Sequence, residues 1–270
     1  MIDFLKFLSF LKKNNKKANT NTQVETLIFR ENNFAAREAY KLLRANVMFA
    51  LPDDKPCRII GVTSPMRAEG KSTTSINLSY VLAEAGKRVL LIDADLRLPS
   101  VAKKLDISDT PGLSETLIKP EFTGEEIKNF ELKNLSVLTS GRIPPNPSEM
   151  LGSRKMQSLL EVLSESYDFI IVDLPPVNVV SDALVIAPLL DGMLVVVRGN
   201  HTSGRELNKC VRSLELSKVK VLGIVINAKS NSSGAYSLKH KYYKYYKKRD
   251  YYSKSYGYAD YESAGREDDD

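Results

Sequence analysis

Residues 62–73 read VTSPMRAEGKST, and this stretch decides the fold of the chain. It follows a short apolar run, residues 57–62, and precedes a helix-like run, residues 75–85. A strand, a loop ending in Gly-Lys-Ser and then a helix form the context of a phosphate-binding P-loop. Pro65 stands where the usual pattern has its first glycine, so the assignment depends on the flanking strand and helix as well as on the motif.

The loop predicts a nucleotide site. Backbone N–H groups at a helix N-terminus donate to phosphate oxygens, and the helix dipole favours their negative charge. Lys71 would add a cation beside the β- and γ-phosphates, and the Ser72 hydroxyl would ligate Mg²⁺. We therefore expect the chain to bind ATP and Mg²⁺. The residues expected to contact the nucleotide are Arg67, Ala68, Glu69, Gly70, Lys71, Ser72 and Thr73.

Strand-like and helix-like segments alternate along the chain. Residues 88–92 and 169–172 are continuously apolar, which is typical of strands buried on both faces of a parallel sheet. Further strands are predicted at residues 135–138, 192–197 and 219–226, and helices at residues 34–50, 148–166, 181–187 and 204–216. The alternation predicts an α/β fold with a doubly wound, mainly parallel sheet, as in a P-loop NTPase.

Three of the predicted helices carry more detailed expectations. In residues 34–50, the core-facing side chains are expected to be Ala35, Ala39, Leu42, Leu43 and Val47, with Arg37, Glu38, Lys41 and Arg44 facing outward. In residues 148–166, Ser148 is the expected N-cap. Asp182 begins a short helix, and capping that helix is favoured over a role in the nucleotide site.

Carboxylates follow two of the buried strands. Asp93 and Asp95 follow the strand after the P-loop helix, and Asp173 follows residues 169–172. Because open α/β sheets bind ligands at the carboxyl ends of their strands, these groups are expected beside the phosphate loop. Asp173 is the expected Mg²⁺ ligand with Ser72, and Asp93 is a further candidate. Asp93 is also preferred over Asp95 as the base that takes a proton from the acceptor, while Asp95 could alternatively only cap the following turn.

Composition restricts the class of protein. The chain has 270 residues, of which 43% are hydrophobic, so it can bury one sizeable core. No apolar run approaches the roughly 20 residues of a membrane span, so we expect a soluble, cytoplasmic protein. Cys57 and Cys210 give no disulfide framework, and His201 and His240 lack the neighbours of a zinc site. The net charge of +6 lies mainly near the ends of the chain.

The two ends differ in composition from the middle. We expect a flexible extension at residues 1–24, the folded domain at residues 25–230 and a disordered tail at residues 231–270. Weak contact with a membrane surface is the alternative for the apolar and basic N-terminus. The tail holds ten of the thirteen tyrosines, interleaved with lysines. It fits either a set of phosphate acceptors or a segment that binds nucleic acid by stacking and charge.

Three motifs resemble those of the bacterial tyrosine kinases, in the stand-alone form found in Gram-positive capsule and exopolysaccharide systems. They are residues 64–73 (Walker A), residues 89–99, VLLIDADLRLP (Walker A′), and residues 170–176, IIVDLPP (Walker B). Residues 144–149, PPNPSE, and the terminal tyrosine cluster are also similar to the family. The resemblance covers about residues 33–227 and the tail.

The resemblance implies an ATP-dependent tyrosine autokinase that modifies its own tail in trans. Lys71, Asp93 and Asp95 would then be the catalytic residues. The implied acceptors are Tyr242, Tyr243, Tyr245, Tyr246, Tyr251, Tyr252, Tyr256, Tyr258 and Tyr261. The resemblance also implies control of polysaccharide synthesis and export, activation by a transmembrane chain-length regulator that recruits the kinase to the inner face of the membrane, and a cognate tyrosine phosphatase.

A homo-oligomer is implied by one further motif. Glu38, Lys41 and Arg44 are similar to the family's Glu-x-x-Arg-x-x-Arg oligomerisation motif, with Lys41 in place of the first arginine. Lysine keeps the charge but loses the bidentate fork, which weakens the expected self-association. The alternative is an ordinary solvated helix face with Glu38 and Lys41 as an ion pair.

Asn227 and the P-loop bear on a competing function. Asn227, which ends the last predicted strand, resembles the adenine-contacting asparagine of related P-loop ATPases. The alternative function is a nucleotide-switch ATPase of the ParA/MinD type. Those proteins carry a lysine five residues before the Walker A lysine, a position held here by Met66, with Arg67 after it. A protein that binds nucleic acid through the tail is the least favoured interpretation.

Overall fold

The computed structural model of the chain describes residues 27–30, 34–51, 55–120, 122–130, 132 and 134–227. The N-terminal extension of residues 1–24 lies outside the described residues, as does the tail with its nine proposed acceptor tyrosines. The expectations for these two segments therefore stay predictions.

A sheet of seven strands forms the centre of the described part of the chain, in the order β3-β4-β2-β5-β1-β6-β7. The strands are β1 Arg58–Thr63, β2 Val89–Asp93, β3 Ile127–Asn129, β4 Leu135–Leu138, β5 Phe169–Asp173, β6 Gly192–Arg198 and β7 Val221–Asn227. Every neighbouring pair is parallel except β3 and β4. The doubly wound, mainly parallel sheet is thus confirmed. Strand β3 was not predicted, because its sequence, IKN, is too short and polar to show a period.

Helices cover both faces of this sheet. They are α1 Phe34–Ala50, α2 Lys71–Glu84, α3 Val101–Leu105, α4 Leu113–Ile118, α5 Pro147–Leu151, α6 Arg154–Ser164, α7 Asp182–Ile186 and α8 Gly204–Leu216, with a 3₁₀ turn at Ala187–Leu189. Among the described residues, no helix is both long and apolar enough to cross a membrane.

Alternate residues of the central strands pack into two separate cores. Leu90 and Ile92 of β2 join the core that includes α6 and α8. Val89 and Leu91 join the core that includes α1 and α2. Because side chains alternate along a strand, Asp93 continues the second set. Asp93 is paired in register with Asp173 of β5, so both carboxylates end their strands on the face that α2 covers.

Helix α1 has the expected bounds but presents a different face to the core. Val47 is buried, and the partly buried side chains packed with it are Ala36, Tyr40 and Leu43. Leu42, expected inside, is 46% exposed, and Ala35 and Ala39 are exposed as well. Alanines lie on two neighbouring faces of this helix and make both faces similarly apolar. The spacing of apolar residues therefore could not show which of the two faces packs against the core.

The predicted helix at residues 148–166 is two helices, α5 and α6, separated at Gly152 and Ser153. Pro147 occupies the first turn of α5, so Ser148 lies inside that helix and is not its N-cap. The cap of the second helix is Ser153, whose hydroxyl accepts a hydrogen bond from the Met156 N–H (3.2 Å). The expectation for Ser148 was therefore wrong.

Candidate active site

The P-loop joins β1 to α2, and its backbone turns through two left-handed residues. Ala68 has a φ of 59° and Gly70 a φ of 92°. A Cβ atom on Gly70 would lie 2.1 Å from Nδ2 of Asn227, so this position requires glycine. Helix α2 begins at Lys71, directly after the turn. The N–H groups of its first turn therefore lie at the end of the loop, where a phosphate would bind.

A cleft of about 210 Å³ opens over this loop. All seven P-loop residues expected to contact the nucleotide, residues 67–73, line it. The opposite wall comes from two segments that follow the neighbouring strands: residues 95–104, after β2, and residues 175–180, after β5. The carboxyl ends of three adjacent strands thus build one site.

Lys71 is the cation at the centre of the cleft. Its Nζ lies 2.8 Å from Oδ2 of Asp95 and 3.6 Å from Oδ2 of Asp173. Its exposed fraction is 12%. Burial alone would lower the pKa of Lys71, but the carboxylates of Asp173 and Asp95 outweigh burial, and the pKa is raised. Lys71 therefore stays charged and is available to a phosphate.

Asp93 is fully buried, and both of its oxygens bind backbone. Oδ1 accepts from the Asp95 N–H (3.2 Å), and Oδ2 accepts from the N–H groups of Ser100 (3.1 Å) and Val101 (3.0 Å). Burial, followed by repulsion from Asp173, raises the pKa of Asp93. Asp93 therefore holds the turn after β2 and the start of α3. The expected roles of Asp93 as base and as metal ligand stay predictions.

Asp95 is the carboxylate of this pair that lines the cleft. Its Oδ2 carries the ion pair to Lys71, and its Oδ1 accepts from the Leu98 N–H (3.0 Å). One oxygen of Asp95 thus fixes the loop while the other faces the phosphate-binding lysine. This geometry favours Asp95 over Asp93 as the residue that meets a ligand in the cleft.

Asp173 and Ser72 fit a magnesium ion. Oδ1 of Asp173 accepts from the Ser75 hydroxyl (3.1 Å), whereas its buried Oδ2 has no hydrogen-bond partner among the described residues. Burial raises the pKa of Asp173, and Lys71 and Ser72 act in the opposite direction. No group of three or more His, Cys, Asp or Glu side chains in the described ranges forms a metal cage. Mg²⁺ typically binds one or two carboxylates and completes its shell with phosphate oxygens and water.

Sequence reasoning missed the partner of Asp182. This buried carboxylate accepts two hydrogen bonds from the Arg97 guanidinium, at 2.8 and 3.0 Å, and one from the Ser148 hydroxyl at 2.6 Å. The favoured expectation was that Asp182 caps its own helix, and the structure shows no such hydrogen bond. The pair joins the segment after β2 to the starts of α5 and α7. Arg97, in the Walker A′ motif, was a signal that a carboxylate partner should be sought.

The side chains of Glu69 and Asn227 stabilise the P-loop through hydrogen bonds. The Glu69 carboxylate accepts from the Met66 N–H (3.3 Å) and from the Thr202 hydroxyl (2.5 Å), and burial raises the pKa of Glu69 to about 7. Nδ2 of Asn227 donates to the Glu69 carbonyl oxygen at 3.2 Å. Both side chains thus hold the loop. Asn227 is not part of the cleft wall.

The proposed oligomerisation residues make contacts within the chain. Nζ of Lys41 lies 2.9 Å from Oε1 of Glu38 on the surface of α1. Arg44, expected to face outward, instead donates to the Val81 carbonyl oxygen of α2 at 2.7 Å. The Glu38–Lys41 pair was foreseen as the alternative to self-association.

The cleft and its motifs recur in known kinases. The chain is 38% identical over 213 residues to the tyrosine-protein kinase YwqD of Bacillus subtilis (strain 168), a match that covers 79% of this chain and 87% of that protein. This chain belongs to the bacterial tyrosine kinases. The kinase domain of the Escherichia coli tyrosine kinase ETK has a similar structure, with a TM-score of 0.72 and 32% identity over 83% of this chain and 89% of that one. The resemblance noted in the motifs is confirmed, and the chain is a tyrosine-protein kinase.

A broader family also matches. A ParA family profile, described as NUBPL iron-transfer P-loop NTPase, matches residues 57–258, so this kinase is also a ParA-type P-loop NTPase. The septum site-determining protein MinD from Pyrococcus horikoshii OT3, solved with Mg-ADP, has a TM-score of 0.56 and 24% identity over 66% of this chain and 72% of that one, which shows a shared fold alone.

Proposed function

We propose that this kinase transfers the γ-phosphoryl group of ATP to tail tyrosines of a neighbouring copy and so regulates capsular or exopolysaccharide synthesis and export. The observation that carries the proposal is the ion pair in the cleft. It brings a charged lysine of the P-loop within 2.8 Å of a carboxylate that can serve as a base. Phosphoryl transfer needs positioning, charge neutralisation and a base, and little covalent chemistry from the protein.

The P-loop supplies the positioning. The N-terminus of α2 and the left-handed turn at Ala68 and Gly70 direct backbone N–H groups toward the phosphates. Lys71, which its neighbours keep protonated, neutralises charge on the oxygens of the transferred group. In a partly buried site this charge acts more strongly than it would in water.

Magnesium would be held by Ser72 and Asp173. When bound, Mg²⁺ neutralises phosphate charge and orients the β- and γ-phosphates. Ser75 fixes the Asp173 carboxylate through a 3.1 Å hydrogen bond. This bond leaves Oδ2 of Asp173 as the oxygen available to the cation.

Asp95 is the proposed base. A tyrosine hydroxyl has a reference pKa near 10, so its proton leaves late in the transfer and needs an acceptor close by. Oδ2 of Asp95 faces the cleft, and Asp93 keeps the Asp95 backbone in place through the 3.2 Å bond to its N–H. Asp93 is therefore proposed as a positioning residue for the base.

The tail can reach an active site from where the described chain ends. Asn227, the last described residue, binds the P-loop. Tyr242 follows it by 15 residues, a distance of at most about 50 Å for an extended chain. A segment of this length is long enough for Tyr242 to reach either the cleft of its own chain or the cleft of a neighbouring copy. The resemblance supports transfer between copies, with an oligomer built through Glu38, Lys41 and Arg44.

Regulation and location are proposed from the resemblance. A transmembrane chain-length regulator would activate the kinase through its cytoplasmic end and hold it at the inner face of the membrane. A cognate tyrosine phosphatase would reverse the modification. Added phosphate carries roughly −1.5 to −2 charges at pH 7, so repulsion among modified tails would loosen the oligomer.

Phosphotyrosine mass spectrometry after incubation with Mg-ATP tests the function. The wild-type chain and Lys71→Met would be compared, each with and without the cytoplasmic peptide of a candidate activator. Lys55→Met is the matched control, because it removes a lysine that lies in an ion pair with Asp191, outside the cleft and outside the proposed oligomerisation motif. Phosphate on tail tyrosines that disappears only in Lys71→Met supports the proposal. ATP hydrolysis with an unmodified tail in every condition would instead support a nucleotide switch.

Transfer between copies needs its own test. A full-length chain with its nine acceptor tyrosines changed to phenylalanine keeps the cleft, and Lys71→Met keeps the tail. Phosphate on the Lys71→Met tail after the two are mixed demonstrates transfer in trans. An unmodified Lys71→Met tail, together with a wild-type rate that does not depend on protein concentration, would contradict it.

A further inference from the structure

An exposed apolar surface borders the cleft beside Asp95. We name it the apolar rim, formed by the exposed side chains of Leu98 and Val179, which line the cleft together with the buried Pro176. Leu98 is 56% exposed and Val179 is 38% exposed. Leu96 and Val101, on either side of Leu98 in sequence, are fully buried. A large apolar side chain that points outward between buried neighbours, at the mouth of an active site, indicates a surface that a ligand covers.

Both sides of the rim are fixed relative to the reacting groups. Leu98 donates its N–H to Oδ1 of Asp95 at 3.0 Å, and Oδ2 of the same carboxylate lies 2.8 Å from Nζ of Lys71. On the other side, the Val179 N–H donates to the Pro176 carbonyl oxygen at 3.1 Å.

The segment that carries Val179 is in turn tied to the P-loop. The Thr63 hydroxyl donates to the Pro175 carbonyl oxygen at 2.7 Å, and the Val177 N–H donates to the Ser64 carbonyl oxygen at 2.9 Å. The rim is therefore a rigid extension of the site.

We propose that the apolar rim binds the phenol ring of the acceptor tyrosine and makes the kinase select tyrosine over serine and threonine. This inference rests on the proposed function, in which a tail tyrosine is the acceptor. A ring on Leu98 and Val179 covers their exposed apolar surface and directs its hydroxyl toward Asp95. In the transfer, a bond forms between the phenol oxygen and the γ-phosphorus, the bond from that phosphorus to ADP breaks, and the phenol proton passes to Asp95.

The length of the side chain explains the selection. A phenol carries its hydroxyl at the far end of a flat apolar ring, so the oxygen reaches past the rim while the peptide backbone stays outside. Serine and threonine carry the hydroxyl next to the backbone and have no ring to bury. They would have to bring polar backbone groups against Leu98 and Val179, which costs free energy.

The tail offers the occupant that this surface requires. Ten of the thirteen tyrosines follow residue 231, in a segment with almost no aliphatic side chain. The described chain ends at Asn227, which donates to the P-loop carbonyl oxygen of Glu69, so the tail follows in sequence from a residue that contacts the P-loop. Adenine is a poorer occupant. The rim adjoins Asp95, on the side of the transferred phosphate, whereas adenine lies at the other end of ATP.

Steady-state kinetics with a peptide of residues 241–252, KYYKYYKKRDYY, tests the inference. The variants are Leu98→Ser, Val179→Ser and the conservative Leu98→Met. The matched control is Leu216→Ser, which alters a leucine that is 85% exposed and outside the cleft wall. We expect the peptide KM to rise about tenfold in Leu98→Ser, the equivalent of roughly 1.4 kcal/mol of lost contact, with the KM for ATP unchanged. Leu98→Met keeps an apolar side chain of similar size, so it should raise the peptide KM much less than Leu98→Ser does, and Leu216→Ser should behave as wild type.

A second peptide sharpens the readout. In this second peptide, serine replaces each tyrosine of residues 241–252. The ratio of kcat/KM for the tyrosine peptide to that for the serine peptide should fall in Leu98→Ser and stay at the wild-type value in Leu216→Ser. A peptide KM unchanged in both rim variants overturns the inference alone, and a rise in the KM for ATP assigns the rim to adenine instead. A wild-type chain that phosphorylates no tyrosine at all overturns the proposed function and this inference with it.

Discussion

Two lysine–carboxylate pairs of nearly equal length lie in very different surroundings in this kinase. Lys71 and Asp95 are 2.8 Å apart in the cleft, with exposed fractions of 12% and 5%. Lys41 and Glu38 are 2.9 Å apart on α1, with exposed fractions of 38% and 46%. The distances alone would rank the pairs as equals.

Their surroundings give the pairs different consequences. An exposed pair is screened by water and contributes roughly 0 to 1 kcal/mol to the free energy of folding. A buried pair costs desolvation to form, and removing one partner leaves an uncompensated charge inside the protein. The buried lysine also has the carboxylates of Asp173 and Asp93 near it, and with Asp95 they raise the pKa of Lys71. The burial of an ion pair and the charges around it, rather than the distance between its two atoms, decide how much the pair affects stability and catalysis.

The largest expected effect follows removal of the buried cation. Lys71→Met should lower the rate of tyrosine phosphorylation at least about 10³-fold, because the transferred phosphate loses its main side-chain charge. At pH 8 it should also lower the free energy of unfolding by about 3 kcal/mol, since neighbouring carboxylates stay buried without a counter-ion. Phosphotyrosine rates and urea unfolding measure the two effects. If Lys71→Met had nearly wild-type activity and stability, the buried pair would matter no more than the exposed pair, and the prediction would be contradicted.

The next effect separates the two aspartates of the Walker A′ motif. Asp95→Asn should lower the rate of phosphotransfer about 10²- to 10³-fold because the amide cannot take the phenol proton. Asp93→Asn should act mainly on stability, by about 1 to 2 kcal/mol, because one of its two oxygens becomes an amide that cannot accept the backbone N–H bonds. Rates and unfolding curves are measured for both variants. Equal rates in the two would place the base elsewhere.

A smaller effect concerns the carboxylate behind the P-loop. The pKa of Glu69 in the folded chain, about 7, is higher than its ordinary value, 4.5. Its contribution to stability is therefore complete below about pH 4.5 and is lost as the pH rises through 7. Glu69→Gln removes this dependence, since the amide can donate to the Thr202 oxygen while its carbonyl accepts from Met66.

The variant should melt at a higher temperature than wild type at pH 8, by the equivalent of about 1 to 2 kcal/mol, and at a similar temperature at pH 5. Thermal melts across this range measure the difference. Thr202→Val serves as the companion variant, because it removes the hydroxyl and leaves the carboxylate. A difference between Glu69→Gln and wild type that does not vary with pH would contradict the assignment.

The smallest effect belongs to the exposed pair. Lys41→Met should change the free energy of unfolding by less than about 0.5 kcal/mol. If α1 takes part in self-association, Lys41→Arg should enlarge the oligomer in sedimentation, because the guanidinium restores a bidentate donor. Glu38→Ala is the control that should reduce it. If all three variants sediment as the wild type does, Glu38 and Lys41 take no part in self-association and form only a solvated ion pair.

The sequence predicted this fold well where a local pattern was enough. Gly70, Lys71 and Ser72 identified the loop, and the continuously apolar runs located the strands at whose ends Asp93 and Asp173 lie. Which of Asp93 and Asp95 faces the cleft could not be predicted. The answer depends on how the chain returns after β2 and brings the N–H groups of Ser100 and Val101 onto Asp93.

Two other features depended on contacts that no local pattern contains. The Arg97–Asp182 pair joins residues 85 positions apart, so no spacing in either motif announces it. Arg44 lies against α2 because α1 is rotated toward Ala36 and Tyr40, and alanine at several neighbouring positions leaves that rotation open in sequence. Long-range packing settled both cases.

The ion pair between Lys71 and Asp95 also sets an order of events. Until a phosphate competes for the lysine, the carboxylate that should receive the phenol proton is neutralised by that same lysine. A tyrosine that arrives first meets an occupied base, and a nucleotide that arrives first frees it. We therefore expect donor before acceptor, so that an acceptor tyrosine stays unmodified until ATP has entered the cleft.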